Sequence, residues 1–261
     1  MTMKTHIIIR ALSALVLCTA VQLRAQESAP LDRATALAEA RSGRWERAEP
    51  ALETLAATVP ADPEVCAQLV LRRLEQKRNK EAVELAERAA EAAPNSAGLQ
   101  SLLGRALGAR IGELAFMQQG FVAPKMLRAF KRSVELDPNH VPGLIGLASY
   151  YLYSPAIAGG SYEKAEEYAR KVEALDAPNG ARLRAEICER QGKWAEAAEC
   201  YRKAIDAQPK NAWLQAQLGK VLAKAGDKVG AKAAFESALQ LQPDLALAKE
   251  GLTALEAVPP S

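Results

Sequence analysis

The chain has 261 residues, with 34 basic and 31 acidic side chains and a formal net charge of +3. Charge this close to balance, with no basic runs, argues against nucleic acid and against an anionic membrane surface as partner. Two histidines and four cysteines, with no Cys-x-x-Cys pair, leave little material for a metal or redox centre.

The first predicted element stands apart from the rest. Lys4 and Arg10 precede an apolar stretch, Ala11–Val21, and Leu23-Arg24-Ala25 offers a small-residue cleavage site. Residues 1–25 therefore read as a secretory signal peptide, which places the mature protein in the periplasm or outside the cell. A retained anchor helix is the alternative, although the apolar run is too short to span a bilayer. Lipidation at Cys18 is disfavoured by the large Leu17 before it. Cleavage would remove Lys4, Arg10 and Arg24 and no acid, so the mature net charge would fall to about zero. It would also leave His140 as the remaining histidine.

From residue 26 to 257 the pattern is helical throughout. Gly43-Arg44-Trp45 to Ala48, Gly160-Ser161-Tyr162 to Ala165 and Gly192-Lys193-Trp194 to Ala197 repeat one turn signature. Ala93-Pro94-Asn95, Asp137-Pro138-Asn139 and Gln208-Pro209-Lys210 each end a helix, because proline disfavours the α conformation in the residue before it. Pro94 and Pro138 are further apart than the other stops. The spacing of Leu99, Leu103, Leu107, Ile111 and Leu114 assigns the extra residues to a longer first helix. Gly120 and Pro124 would then mark the turn into a second helix over Lys125–Leu136. Further on, Ser154 to Ser161 replaces a short turn. Its Gly159-Gly160 pair suits a sharp bend, and the Walker or dinucleotide pattern that would make it a phosphate site is missing. No charge occurs from Val141 through Tyr162, where Tyr150, Tyr151, Tyr153 and Tyr162 belong either to the core or to a contact surface.

The last two units fix the period. Gly192, Ala197, Tyr201, Ala204 and Pro209 recur 34 residues later as Gly226, Ala231, Phe235, Ala238 and Pro243. A repeat of this length means stacked helical hairpins, none of which buries its apolar face alone. The pattern resembles the tetratricopeptide repeat (TPR) family. Lys77, where a turn glycine is expected, and Ala181 and Arg184-Ala185, where larger residues are expected, depart from it. The resemblance implies an all-α, right-handed superhelical solenoid. It would hold about six units, over 29–62, 63–96, 97–140, 141–177, 178–211 and 212–245, followed by a capping helix over 245–257 and a disordered tail, 258–261. The unit-four loop is also similar to that of exported bacterial TPR proteins of unassigned role.

First helices of TPR units line a concave groove. Carried over by position, the groove would present Arg33 and Arg41, then Glu64, Leu71 and Glu75, then Ser101. Its partner-binding set would be Arg105, Tyr153, Arg182, Glu186, Arg190, Trp213 and Lys220. Arg182, Glu186 and Arg190 share one helical face, either as an ion-pair ladder or as an Arg pair gripping a carboxylate beside Trp213. The Lys and Asn that let chaperone-docking TPR domains hold a C-terminal carboxylate are absent, since Arg182, Glu186, Ala216 and Lys220 stand there. Cys188 and Cys200 would sit on facing helices, as free thiols or, in an oxidising compartment, as a pair.

The sequence thus points to a non-catalytic scaffold for a protein or peptide, needing no cofactor or metal, with homo-oligomerisation open. The alternative is an accessory subunit that handles a small ligand in an apolar pocket near units three and four. No Gly-x-Ser-x-Gly, no His-Glu-x-x-His and no His partnered with Ser or Cys speaks for an enzyme.

Overall fold

A computed structural model describes residues 31–57 and 61–256. The expected signal peptide (1–25), the expected tail (258–261) and residue 257 lie outside these residues. Among the described residues there are thirteen α-helices, one 3-10 turn and no strand. The helices pair as α1 (Arg33–Arg41) with α2 (Trp45–Ala56), α3 (Pro63–Glu75) with α4 (Asn79–Ala92), and α5 (Ala97–Ile111) with α6 (Phe116–Leu136). Then come α7 (Val141–Tyr153) with α8 (Tyr162–Leu175), α9 (Ala177–Arg190) with α10 (Trp194–Ala207), α11 (Ala212–Ala225) with α12 (Lys228–Leu241), and a final α13 (Ala246–Glu256). Each second helix packs on the first helix of the next pair, so the chain is a solenoid of hairpins.

Local chemistry sets the helix ends. Asp32, Asp62, Ser96, Ser161, Asp176, Asn211 and Asp227 each accept a backbone N–H of the first helical turn. Between paired helices the chain turns through a left-handed residue: Gly43, Gly192 and Gly226 have φ of 77°, 72° and 89°. Lys77 adopts the same conformation at φ 57°, where a Cβ makes it unfavourable. The alanines that follow these turns, Ala48, Ala82, Ala165, Ala197 and Ala231, have no exposed surface, and their small side chains let the two helices of each pair approach closely.

Two phenylalanines show how the pairs interlock. Phe235 lies between Gly219 and Gly251, and a Cβ on Gly219 would stand 2.7 Å from its ring. Phe130 lies in the same way between Gly104 and Gly146, with 2.6 Å from a Gly104 Cβ. A Cβ at Gly251 or Gly146 would also meet the ring. Each aromatic from a second helix thus fills a slot opened by glycines on the first helices before and after it. Burying such a ring contributes roughly 1.5–3 kcal/mol.

The third pair corrects the sequence-based reading. Its first helix ends at Ile111, and the extra length belongs to the second, the 21-residue α6, which contains Gly120 and Pro124. Proline removes the hydrogen bond to the carbonyl four residues earlier and crowds it. That carbonyl belongs to Gly120, an exposed residue without a side chain, so its oxygen can turn to water. The helix begins at Phe116 after Ala115 as its N-cap, with the Gln119 side chain donating to the Leu114 carbonyl at 2.9 Å.

The loop of the fourth pair is a 3-10 turn, Ala156–Ala158, closed by Gly159 at φ 89°. A Cβ on Gly160 would collide with the Ser154 carbonyl, so the second glycine is required by contact and not by dihedral angle. The Tyr150 hydroxyl donates to Ala158 O at 2.8 Å and ties the loop to α7.

The core is a string of clusters rather than one centre. Units one and two share one, α3 to α5 a second, α6 to α9 a third, and α9 to α13 a fourth. Arg73, only 2 % exposed, is held by Glu49, Glu53 and Glu81 and bridges the first two pairs. Losing any one of the three carboxylates leaves two on Arg73, so its buried charge stays paired.

Candidate partner-binding surface

The first helices form a continuous wall. α1 packs on α3, α3 on α5, α5 on α7 and α7 on α9. α9 and α11 pack on each other much less closely, and a polar notch of about 300 Å³ opens there. Tyr153, Glu186, Glu189, Arg190, Tyr201, Trp213, Gln217 and Lys220 line it.

Two carboxylates organise the notch. Glu186 pairs with Arg182 one turn earlier and accepts the Tyr153 hydroxyl at 3.0 Å. Glu189 accepts the Tyr201 hydroxyl at 2.6 Å and pairs with Lys220 at 2.6 Å, which links α9 to α11. Burial and the Glu186 carboxylate push the Tyr153 phenol up to about 12. Burial, with the hydrogen bond to Glu189, pushes Tyr201 higher still. Both tyrosines are therefore neutral donors at physiological pH. Arg190 does not complete a ladder with Glu186. Its guanidinium lies 4.7 Å from the centre of the Tyr153 ring, and no described carboxylate pairs with it. Trp213, 37 % exposed, forms one side. Gln217 Oε1 is buried and accepts no hydrogen bond from a described residue.

Of the residues placed by position, the notch brings together Tyr153, Glu186, Arg190, Trp213 and Lys220. Arg182 backs Glu186 from outside the lining. Arg105 lies elsewhere, on the wall of a second and larger cavity. Arg33 and Arg41 are occupied by Glu64, with Asp62 also on Arg33. Sequence reasoning missed Glu189, Tyr201 and Gln217, which enter the notch only because α10 and α11 close its far side.

The larger cavity, about 1130 Å³, lies between α5, α6, α7 and the unit-four loop. Phe116, Met117, Ile145, Pro155 and Ile157 contribute to its apolar lining, and Tyr153 borders it as well as the notch. The tyrosines of unit four divide between core and surface: Tyr150 and Tyr151 are buried, while Tyr153 and Tyr162 are 52 % and 40 % exposed.

At the rim of this cavity Ser101 Oγ lies 2.9 Å from His140 Nε2, which corrects the expectation that no His is partnered with Ser or Cys. Ser101 Oγ also lies 2.9 Å from the Gly98 carbonyl oxygen, so its one hydroxyl proton has two acceptors in reach, and the direction of the contact with His140 follows the imidazole tautomer. The pair ties α5 to the start of α7.

Cys66, Cys188 and Cys200 are free thiols. Among the described residues no group of three His, Cys, Asp or Glu could hold a metal ion, and no helix is long and apolar enough to cross a membrane.

Two repeat families match the sequence: "Tetratricopeptide repeat" over residues 33–97 and "TPR repeat" over 186–226. Comparison with curated proteins gives no match. Among solved structures, a thermophilic TPR protein of Thermus thermophilus is similar at TM-score 0.62 and 23% identity, over 76% of this chain and 99% of that one. A tetratricopeptide repeat protein of Parabacteroides merdae is similar at TM-score 0.58 and 14% identity, over 87% and 91% of the two chains. Identity at this level speaks for the fold alone. The chain thus carries tetratricopeptide repeats over residues 33–97 and 186–226, within a stack of helix pairs that has the fold of the solved TPR proteins.

Proposed function

We propose that the chain is a non-catalytic scaffold, exported by residues 1–25, that holds a segment of a protein or peptide partner along its first-helix wall. The fold supports the general class, since TPR proteins serve as interaction scaffolds. The observation that carries the specific site is the notch at Tyr153, Arg190, Trp213 and Gln217. It offers an aromatic side, a guanidinium without a carboxylate, and a buried acceptor without a donor. A backbone N–H of a bound segment can donate to Gln217 Oε1, which no described residue does. Trp and Arg are also the side chains that most often dominate binding energy at interfaces.

Photocrosslinking in cells from position 213, followed by mass spectrometry, tests this reading. One specific polypeptide should be recovered, and Trp213→Ala should weaken its capture without lowering the melting temperature. Recovery of no specific partner, or equal loss of capture and stability, overturns it. A second reading, an accessory subunit handling a small ligand, draws on one observation, the apolar cavity between units three and four.

A further inference from the structure

We infer that the main anchor site is the apolar cavity of units three and four, and that its occupant is a polypeptide segment with two or three large apolar side chains flanked by Asp or Glu. This rests on the groove reading above and adds the partner's chemistry. The first argument is charge. No acidic residue lines the cavity, and its one charged lining residue is Arg105, exposed and without an ion pair among the described residues. Arg190 lies past the opposite border, beyond Tyr153, its guanidinium against that ring and without an ion pair among the described residues, in the notch that Glu186 and Glu189 also line. Elsewhere on the first helices the arginines Arg33, Arg41, Arg72, Arg73, Arg110, Arg182 and Arg184 all have carboxylate partners. The two uncompensated first-helix arginines thus bracket the apolar site, and charge complementarity asks for carboxylates at both ends of an apolar insert.

The second argument is exposure. Phe116, Met117 and Ile157 line the cavity and yet are 77, 80 and 95 % exposed. A metabolite is normally enclosed over most of its surface, and one seated here would leave these three in water. A polypeptide segment covers the rim as well as the floor. The third argument is continuity. Tyr153 borders both the cavity and the notch, so one extended segment can occupy the two in sequence.

The test is selection of a displayed library of random twelve-residue peptides on the full chain. Binding of a labelled selected peptide is then measured by fluorescence polarisation against Met117→Asp, Ile157→Asp, Arg105→Glu and Trp213→Ala. Met117 and Ile157 are exposed, so these variants keep the fold. The expected result is an acid–apolar–acid consensus. Met117→Asp and Ile157→Asp should each weaken binding about tenfold or more, as loss of one buried large side chain implies. Arg105→Glu should weaken it and reduce its salt dependence. Peptides that lose affinity with Trp213→Ala but ignore Ile157→Asp would overturn this inference and leave the groove reading standing. Failure to select any peptide would overturn both. Dodecanoate binding that Ile157→Asp abolishes, with no peptide selected, would assign the cavity to a free amphiphile. Sedimentation as a dimer that Met117→Asp dissociates would assign it to a second copy. Either result overturns the inference.

Discussion

Units six and three solve one packing problem at two lengths. In unit six, Phe235 lies sixteen residues from each of its slot glycines, Gly219 and Gly251. In unit three, Phe130 keeps that spacing to Gly146 but is ten residues further from Gly104. The insertion therefore enters between the front glycine and the ring, in the turn and the first half of α6. The slot is preserved and the added helix projects beyond it. A solenoid can lengthen one helix without disturbing its neighbours provided the interlocking residues keep their places. In unit six no such projection exists, whereas in unit three it leaves Phe116, Met117 and Phe121 more than three-quarters exposed beside a cavity.

If the slots are equivalent, emptying them should cost the same. Phe130→Ala and Phe235→Ala should each lose about 3–5 kcal/mol in denaturant unfolding. A small loss at Phe130 alone would mean that unit three is loosely packed and the comparison fails. Filling the slots is the next largest effect. Gly146→Ala and Gly251→Ala push a methyl into an aromatic ring and should cost about 1–3 kcal/mol, although alanine ordinarily favours a helix. Lys77→Gly compares a strained turn with its glycine-bearing equivalents. Relief of the left-handed conformation, about 1–2 kcal/mol, is partly offset by the added freedom of the unfolded chain, about 0.4–1 kcal/mol. The net expectation is stabilisation by roughly 0.5–1 kcal/mol, read as a higher denaturant midpoint. An effect of the same size is expected in the projecting half of α6. A Cβ on Gly120 meets nothing within 4 Å, so Gly120→Ala should stabilise by about 0.5–1 kcal/mol and raise helicity. Destabilisation there would show that the bend beside Pro124 is needed.

A separate check uses the notch. The Tyr153 phenol is pushed up to about 12, so its neutral form is favoured in the fold. Its contribution to stability should be full below about pH 10, the ordinary tyrosine value, and fade as pH rises towards 12. Tyr153→Phe should remove that part of the alkaline loss.

The helix pairs were legible because turn glycine, crossing alanine and stopping proline each act within a few residues. The length of α6 was not, because Pro124 reads as a breaker. Its cost is confined to one exposed carbonyl, and buried Ala129, Phe130 and Ser133 hold the helix further on. At the notch, the first-helix positions follow from repeat geometry, so Tyr153, Arg190, Trp213 and Lys220 could be placed on one face. Glu189, Tyr201 and Gln217 could not, since their convergence depends on how far α9 stands from α11. The Ser101–His140 contact joins α5 to the residue just before α7, 39 positions on, and has no spacing signature.

The three thiols sit at two places along the solenoid, Cys66 in the first cluster and Cys188 and Cys200 near the last. Burial raises all three, Cys188 to about 11, so little thiolate exists at neutral pH while the helices are packed. Alkylation of the buried Cys66 and Cys200 then requires local opening, whereas Cys188 is half-buried. Pulsed labelling with mass readout would show which end of the string frays first, with no engineered probe.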